Sequence, residues 1–339
     1  MPDPLTQALE RLLHKQDLSA ETMHAAVSHI MEGAAGEVAI AAFLTALRMK
    51  GESEDELLGA ARAMRERATR IPTARTGLLD TCGTGGDELG TFNISTAAAL
   101  VAAACGVPVA KHGNRSATST SGSADVLEAL GVRIDLTPER VARCIAEVGI
   151  GFCFAPLLHG AMKHVAPVRK QLGFRTIFNY LGPLTNPAGA EFQLVGASRD
   201  ETAQKLARAL SKLGTTRALV VCGAGELDEV SLWGQTLVCE VADGRISQMI
   251  WTPETFGLPQ CRVENLRVQS PGESAQVITG VLSGDRGPAR DMILANTAAA
   301  LLTARKAADP REGVAHAAEA IDTGRAAELT RRLAEWTNS

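Results

Sequence analysis

The chain has 339 residues, a length that suggests two domains, with 34 Lys and Arg against 38 Asp and Glu and a net charge of −4. This balance excludes a surface that is basic overall and drawn to nucleic acid. Hydrophobic residues make up 45% of the chain, enough to exclude a largely disordered protein.

The cysteines and the apolar segments indicate where the protein works. The seven cysteines are scattered and form no C-x-x-C pair, so we expect neither a disulfide framework nor a zinc site, and a reducing compartment. The N-terminus is amphipathic and mixed in charge, unlike a secretory signal. The longest apolar run, residues 97–110, contains Gly106 and Pro108 and is shorter than the ~18 residues of a membrane span. We expect a soluble, cytoplasmic protein with no membrane and no nucleic-acid partner.

Roughly the first 70 residues predict a small all-helical domain, which we bound at residues 1–71. Ser19 is placed to cap a helix that ends at Gly33, and Ser53 with Glu56 forms an S-x-x-E capping box. The apolar residues that recur at helical spacing are Leu5, Leu9, Leu12, Leu13, Met23, Val27, Ile30, Val38, Phe43, Leu44 and Leu47.

After Pro72, strands and helices alternate, which predicts an α/β domain at 72–339 with a mainly parallel central sheet. The predicted strands lie at 78–79, 107–109, 132–134, 194–195 and 218–221. The predicted helices lie at 95–105, 125–130, 138–148 and 201–212. Residues 233–269 are strand-like with turns, and the last seventy residues return to Ala-rich helix.

The first chemistry-bearing cluster is Asp-Thr-Cys-Gly-Thr-Gly-Gly-Asp at 80–87, followed by Asn-Ile-Ser-Thr at 93–96. A strand runs into a glycine-rich turn and then into a helix start, whose free N–H groups suit an anion. Neither a P-loop nor a G-x-G-x-x-G fingerprint is present. Many such turns are only tight connections, but Asp87, Asn93 and Ser95 supply oxygen ligands and favour a ligand site.

The second cluster is Lys-His-Gly-Asn-Arg at 111–115, followed by a Ser- and Thr-rich stretch that ends at Ser123. It comes directly after the predicted strand at 107–109. Two cations with many hydroxyl and amide groups predict an anion cradle. A flexible Ser/Thr linker is the alternative, although linkers rarely carry such a run between a strand and a helix.

Two further groups are less specific. His159, His164 and Arg169 are, by residue type alone, ordinary helix residues and a solvated charge. The adjacent carboxylates Asp228 and Glu229 follow a predicted strand, where α/β proteins place ligand-facing groups, and they suit Mg²⁺ beside a phosphate. Two anion cradles and a carboxylate pair together indicate a sugar that carries a 5′-phosphate and a 1-pyrophosphate.

In this order the motifs resemble the anthranilate phosphoribosyltransferase family. The resemblance covers nearly the whole chain and is densest from residue 80 to residue 229. Its other specific motifs are Ser-Gly-Ser-Ala-Asp at 121–125, Arg-Thr-Ile-Phe-Asn at 175–179, Gly-Pro-Leu-Thr at 182–185 and Asp-Glu-Val-Ser at 228–231.

The resemblance implies an architecture and a reaction. The architecture is a small helical domain, joined by helices from about 156–186, hinged to a large α/β domain of the nucleoside phosphorylase type. Members usually form homodimers through the helical domain. The implied reaction joins anthranilate to phosphoribosyl pyrophosphate, giving phosphoribosylanthranilate and pyrophosphate in tryptophan biosynthesis, with Mg²⁺, two ions per protomer.

The resemblance also implies site residues. For phosphoribosyl pyrophosphate they are Gly83, Gly86, Asp87, Thr91, Asn93, Ile94, Ser95, Thr96, Lys111, His112, Gly113, Asn114, Arg115, Ser116, Ala117, Thr118, Ser119 and Ser123. For anthranilate they are Gly83, Asn114, Arg169, His112 and His159, and for the metal Ser95, Asp228 and Glu229. Arg169 would then hold the anthranilate carboxylate through its guanidinium. No residue is assigned as a general acid or base.

Two departures and two alternatives accompany this interpretation. Glu88 stands where many members have Gly, and Met162 where some present an aromatic residue to the substrate. A pyrimidine nucleoside phosphorylase is the alternative with the same fold, and the run at 111–115 with Arg169 argues against it. A non-catalytic relative that binds nucleic acid is the second alternative, which the net charge disfavours.

Overall fold

The computed structural model describes residues 3–116 and 121–339, and its N-terminal part is a bundle of four helices. These are α1 (Pro4–Leu13), α2 (Ala20–Met31), α3 (Glu37–Lys50) and α4 (Glu54–Arg67). Ser19 caps α2 by accepting the Thr22 N–H at 3.2 Å, and Ser53 with Glu56 forms the expected capping box at the start of α4. The helical character of this region is confirmed.

Two residues expected in the core of the bundle lie on its surface instead. Leu13 is 69% exposed and Val38 is 85% exposed. Met49, also on α3, is 84% exposed. No other segment within residues 3–116 and 121–339 covers these side chains, so helical spacing alone did not separate the inner face from this outer one.

In the described residues, the second part is built on one seven-stranded sheet with the order β3-β2-β1-β4-β5-β6-β7. Its strands are β1 (Leu79–Thr81), β2 (Val109–Gly113), β3 (Ile150–Phe154), β4 (Phe192–Gly196), β5 (Arg217–Cys222), β6 (Thr236–Ala242) and β7 (Arg245–Trp251). The strands from β3 to β5 pair in parallel, and β6 and β7 pair antiparallel at one edge. The mainly parallel sheet is confirmed, and its parallel strands direct their carboxyl ends to one edge.

Helices surround the sheet. They are α5 (Ile94–Ala104), α6 (Ser123–Ala129), α7 (Pro138–Glu147), α8 (Ala155–Leu158), α9 (Ala166–Leu172), α10 (Phe178–Leu181), α11 (Asp200–Lys212), α12 (Pro253–Phe256), α13 (Pro271–Leu282), α14 (Pro288–Thr303), α15 (Pro310–Asp322) and α16 (Arg325–Asn338), with short 3-10 turns at Gly160–His164, Gly182–Leu184 and Val263–Leu266. Among the described residues, no helix combines the length and apolar character needed to cross a membrane.

The prediction of a strand at 132–134 was wrong. The Val132 N–H donates to the Leu127 carbonyl at 2.9 Å, and the Arg133 N–H donates to Thr337 Oγ1 at 3.0 Å. The backbone N–H groups of Val132 and Arg133 are therefore bonded to groups of two helices, and the segment does not pair with the sheet.

Strand β3 was not predicted from the sequence. Its Gly151 lowers strand propensity, yet an added Cβ there would lie 2.7 Å from Ile145 of α7, so glycine is what lets that helix pack closely.

Strand β5 shows how the sheet separates two cores. Leu219 and Val221 face a core shared with α5, α14 and the C-terminal helices, while Ala218 and Val220 face a second core. Successive strand residues point to opposite faces, which explains the division. The second core is continuous with the helical bundle and also contains side chains of the crossover segment (residues 155–184).

Candidate active site

The glycine loop (residues 83–87) leaves the sheet directly after β1. Gly85 and Gly86 have φ values of +64° and +83°, in the left-handed region that favours glycine. The Gly85 N–H donates to Asp228 Oδ2 at 2.8 Å, and Asp87 accepts a 3.2 Å bond from the backbone two residues later. The loop is therefore fixed by contacts with carboxylates.

The acidic pair (Asp228 and Glu229) follows β5 at the same edge of the sheet. Glu229 Oε1 accepts the Ser95 N–H at 2.9 Å, while Asp228 faces the glycine loop. Two glycines leave room for this approach, because an added Cβ at Gly196 would lie 1.7 Å from the Asp228 carbonyl oxygen and one at Gly83 would lie 2.5 Å from Asp228 Oδ2. The fold thus brings together Ser95, Asp228 and Glu229.

Negative charge accumulates at this point. Burial raises the pKa of both Asp228 and Glu229, and the negative charge of Asp87 raises that of Asp228 further. Burial also raises the pKa of Asp87. The positive charge of Arg175 lowers the pKa of Asp228 in part, and that of Lys111 lowers the pKa of Glu229 in part, but neither cation forms a direct ion pair with them within the described parts of the chain. A cluster of hard oxygen ligands whose charges oppose one another fits a divalent cation such as Mg²⁺.

Lys111 and His112 lie within β2, not in a loop after a strand as the sequence suggested. The Lys111 side chain is buried, and its Nζ donates to the Thr81 carbonyl oxygen at 2.5 Å. The His112 N–H donates to Asp80 Oδ1 at 2.9 Å. A buried cation at the end of a central strand is held in place by the neighbouring strand β1.

His112 and His159 form a buried pair of imidazoles. His112 Nδ1 lies 3.0 Å from the Gly182 carbonyl oxygen, which can only accept, so Nδ1 carries the hydrogen. The two Nε2 atoms are 3.2 Å apart. Burial lowers the pKa of His112 to about 4 and that of His159 to about 3, so both rings are neutral at pH 7.

The segment after β2 is organised by Asp125 at the start of α6. Asp125 Oδ2 accepts the N–H groups of Ser116 and Gly122, each at 3.0 Å. The Arg115 guanidinium is half exposed and pairs with both Asp125 and Glu128, so a phosphate would compete with two carboxylates for it. The loop carbonyl of Asn114 accepts a 3.3 Å bond from the Ser123 hydroxyl. Ala117, Thr118 and Ser119 lie outside the described residues.

At the start of α5, some polar side chains are hydrogen-bonded and one has no partner among the described residues. Asn93 Oδ1 accepts hydroxyl hydrogens from Ser121 at 2.6 Å and Ser274 at 2.8 Å, which anchors the helix start. Thr91 pairs with Arg267 in an isolated β-bridge. The buried Thr96 Oγ1 has no hydrogen-bond partner among the described residues, so it can accept or donate to a ligand.

Arg169 lies on α9, in the crossover segment. Its guanidinium carbon is 5.8 Å from the centroid of the Phe178 ring, and burial together with the positive charge of Arg175 lowers its pKa. Among the described residues, the charge that acts on it is that of Arg175, and no carboxylate pairs with it. A partly buried guanidinium without a counter-charge is suited to a ligand carboxylate.

The two departures from the family pattern are Glu88, next to the glycine loop, and Met162, in the crossover segment. Glu88 is exposed and adopts a φ of +55°, where glycine is less strained. Met162 is partly buried and packs against the second core.

The sequence analysis did not identify two side chains, Asn186 and Arg175, that hold the strands and the glycine loop of the site in place. Asn186 Nδ2 donates to both Asp80 Oδ2 and the Ala110 carbonyl oxygen at 2.8 Å, which links β1 to β2. Arg175 donates from Nη2 to the Thr84 carbonyl oxygen at 2.9 Å. The only sequence signal for either residue was its place in or next to a recognised motif, because their partners are distant along the chain.

Comparison with known proteins identifies the same two parts. A model described as glycosyl transferase family, helical bundle domain, matches residues 6–68, and one described as glycosyl transferase family, a/b domain, matches residues 75–327. The chain is 52% identical over 330 residues to the anthranilate phosphoribosyltransferase of Symbiobacterium thermophilum, covering 97% of each sequence. It is 49% identical over 335 residues to that of Thioalkalivibrio sulfidiphilus, covering 99% of each.

Solved structures agree. The crystal structure of anthranilate phosphoribosyltransferase from Thermus thermophilus matches with a TM-score of 0.92 and 44% identity, over 98% of this chain and 99% of that one. The Saccharomyces cerevisiae enzyme in complex with PRPP and Mg matches with a TM-score of 0.90 and 29% identity, over 98% of each chain. The chain therefore belongs to the anthranilate phosphoribosyltransferase family, as its motifs indicated.

Proposed function

We propose that this chain transfers the phosphoribosyl group from phosphoribosyl pyrophosphate to the amine of anthranilate, giving N-(5-phosphoribosyl)anthranilate and pyrophosphate in tryptophan biosynthesis. The observation that carries the proposal is the position of the acidic pair. Its carboxylates accept the N–H groups of Gly85 in the glycine loop and of Ser95 at the start of α5. A candidate cation site therefore lies between the two features that we expect to bind anions, at one edge of the sheet.

The donor site would extend along this edge. We propose contacts from Gly83, Gly86, Asp87, Thr91, Asn93, Ile94, Ser95, Thr96, Lys111, His112, Gly113, Asn114, Arg115, Ser116, Ala117, Thr118, Ser119 and Ser123. The Thr96 hydroxyl, which has no hydrogen-bond partner among the described residues, is the clearest ligand-seeking group of this site. The buried Lys111 ammonium, which donates to Thr81, adds positive charge.

Ser95, Asp228 and Glu229 would hold Mg²⁺. The donor set fits, since it consists of hard oxygens with a surplus of negative charge and no ion pair in the described chain. Asp228 faces the glycine loop and Glu229 faces Ser95. We propose two ions per protomer. When bound, Mg²⁺ neutralises charge on the pyrophosphate that leaves.

Anthranilate would lie against Gly83, Asn114, Arg169, His112 and His159. Arg169 would bind and orient its carboxylate, and the neutral imidazole pair would line the pocket without adding charge. An aromatic amine is already neutral at pH 7, so its lone pair needs no base to expose it. We therefore assign no general acid or base, and we attribute the rate to positioning and to electrostatic stabilisation of the leaving group.

We also propose a homodimer that pairs through the helical bundle. The apolar side chains of Leu13 on α1 and of Val38 and Met49 on α3 are exposed. In a dimer, the helical bundle of the second protomer would cover them. Sedimentation should show a dimer that Val38→Glu and Met49→Glu together convert to a monomer. A wild-type monomer at micromolar concentration would contradict this.

Domain limits and cellular location follow as further proposals. We place the helical domain at 1–71 and the α/β domain at 72–339, with residues from about 156–186 joining the first, because side chains of the crossover segment share the core of the bundle. All seven cysteines are free thiols, which supports the cytoplasm as the working compartment.

A fluorescence assay tests the reaction. Anthranilate fluorescence should fall when phosphoribosyl pyrophosphate and Mg²⁺ are both present, and it should persist when either is omitted. Unchanged fluorescence with all components present would overturn the proposal. Release of free base from thymidine and phosphate would instead indicate a nucleoside phosphorylase.

A further inference from the structure

Arg175 occupies a position between the two proposed substrate sites, and the reaction as described gives it no task. It lies in the crossover segment between α9 and α10, six residues after Arg169. Its guanidinium reaches the glycine loop, where Nη2 donates to the Thr84 carbonyl oxygen at 2.9 Å. A Cβ at Gly86 would lie 1.9 Å from Nη1, so the guanidinium rests directly on the backbone of this glycine.

The other side of the same guanidinium faces the helical part of the molecule. Its central carbon lies 5.9 Å from the centroid of the Tyr180 ring, on α10. The Tyr180 hydroxyl in turn accepts from Arg48 of α3 at 3.4 Å. A planar guanidinium can hydrogen-bond in its plane and stack on a ring at the same time, which an ammonium cannot do. Arg175 is thus a direct link between the glycine loop and the segment that carries Arg169.

We propose that Arg175 is a positioning residue, which fixes the glycine loop relative to Arg169 and so aligns the anthranilate amine with the anomeric carbon of the donor. This inference rests on the proposed function. Arg175 acts through the Thr84 carbonyl and the Tyr180 ring rather than through substrate. Misplacement of a reacting atom by about 1 Å can cost about 10²-fold in rate, so a link of this kind acts chiefly on turnover.

The test compares Arg175→Gln and Arg175→Lys with the wild type. The control is Arg133→Gln, which removes an exposed arginine that pairs with Asp135 away from the site. Measured quantities are kcat per folded protein, the Kd of each substrate alone by calorimetry with Mg²⁺ present, and the thermal midpoint. We expect Arg175→Gln to lower kcat about tenfold or more, with each Kd changed less than about threefold. Arg175→Lys should recover part of the loss, because lysine can still donate to Thr84.

Three results would overturn the inference. They are a kcat within twofold of wild type, a Kd for phosphoribosyl pyrophosphate or anthranilate that weakens tenfold at unchanged kcat, and a fall in thermal midpoint with kcat per folded protein preserved. The second would make Arg175 a ligand-binding residue and the third a merely structural one. If the wild type itself neither binds nor converts the substrates, the proposed function fails, which the wild-type measurements reveal separately.

Discussion

The donor side and the acceptor side of the site differ in charge and in what supports them. The donor side gathers Asp87, Asp228 and Glu229 with no ion pair among the described residues. The acceptor side presents Arg169, a cation equally without a carboxylate partner in the described chain. Lys111 and Arg175 offset part of the negative charge of the donor side. The charge that remains on each side suits a ligand of opposite sign, a cation on one side and an aromatic carboxylate on the other.

Their supports differ as well. The donor side lies at the carboxyl ends of β1 and β5, where backbone N–H groups bind the carboxylates directly. The acceptor side lies on α8, α9 and α10, helices of four to seven residues. Such short helices depend on tertiary packing for their stability. The donor side is therefore supported by the sheet itself, whereas the acceptor side depends on the packing of its short helices. Different substitutions are needed to test the two sides.

The largest expected effect comes from removing the charge of the donor side. Asp228→Asn with Glu229→Gln should lower turnover by about 10²-fold or more, because two cation ligands are lost together. Glu226→Gln is the matched control, since Glu226 is an exposed carboxylate two residues away and should leave turnover unchanged. Full turnover in the double variant would remove the acidic pair from the mechanism.

Removing the charge of the acceptor side should give the next largest effect. Arg169→Ala should raise the KM for anthranilate about 10- to 100-fold, the loss expected for a hydrogen-bonded charge pair, and should change the KM for phosphoribosyl pyrophosphate less than about twofold. Steady-state kinetics with each substrate varied provide the measurement, with Arg133→Ala as control. Equal changes in both KM values would mean that Arg169 supports the fold rather than the acceptor.

A substitution that adds volume but no charge tests whether the donor side is as rigid as its contacts imply. Gly196→Ala adds a Cβ 1.7 Å from the Asp228 carbonyl oxygen, so the acidic pair must shift. We expect a rise of about tenfold in the KM for phosphoribosyl pyrophosphate and a loss of about 1–3 kcal/mol in unfolding free energy. Gly160→Ala, with no atom within 4 Å of the added Cβ, is the control. Unaltered donor kinetics would show that the loops adapt.

The smallest effect should come from a residue that belongs to neither side. Ser53→Ala removes the N-cap of α4 and should lower the free energy of unfolding by about 1 kcal/mol. Chemical denaturation measures this loss, and kcat and both KM values should stay at wild-type levels. A changed KM would show that the bundle communicates with the site.

The fold could be read from the sequence where local signals dominate. Ser19, Ser53 and Glu56 predicted helix starts that the structure confirms, since capping needs only nearby atoms. Residues 132–134 were predicted to form a strand because Val132 and Ile134 lie in a short apolar run between helical patterns. The partner of the Arg133 N–H is Thr337, 204 residues away, and no local pattern could reveal it.

For the site residues too, those with local signals could be predicted from the sequence and those with distant partners could not. Asp228 and Glu229 were recognisable from their place after an apolar strand, which topology then carries to the glycine loop. Asn186 and Arg175 were not, because they contact two strand residues and one loop carbonyl that lie 76 to 106 residues away in the chain. The pairing of Arg115 with Asp125 and Glu128 was likewise invisible before helix α6 placed both carboxylates beside it.

The central claim is that phosphoribosyl pyrophosphate binds through a cation held by the acidic pair. Calorimetry of this donor with and without Mg²⁺ tests it most directly. We predict binding heat with Mg²⁺, little or none after chelation, and none in the Asp228→Asn, Glu229→Gln variant. Absence of heat with the wild type and Mg²⁺, or equal heat in the double variant, would contradict the account.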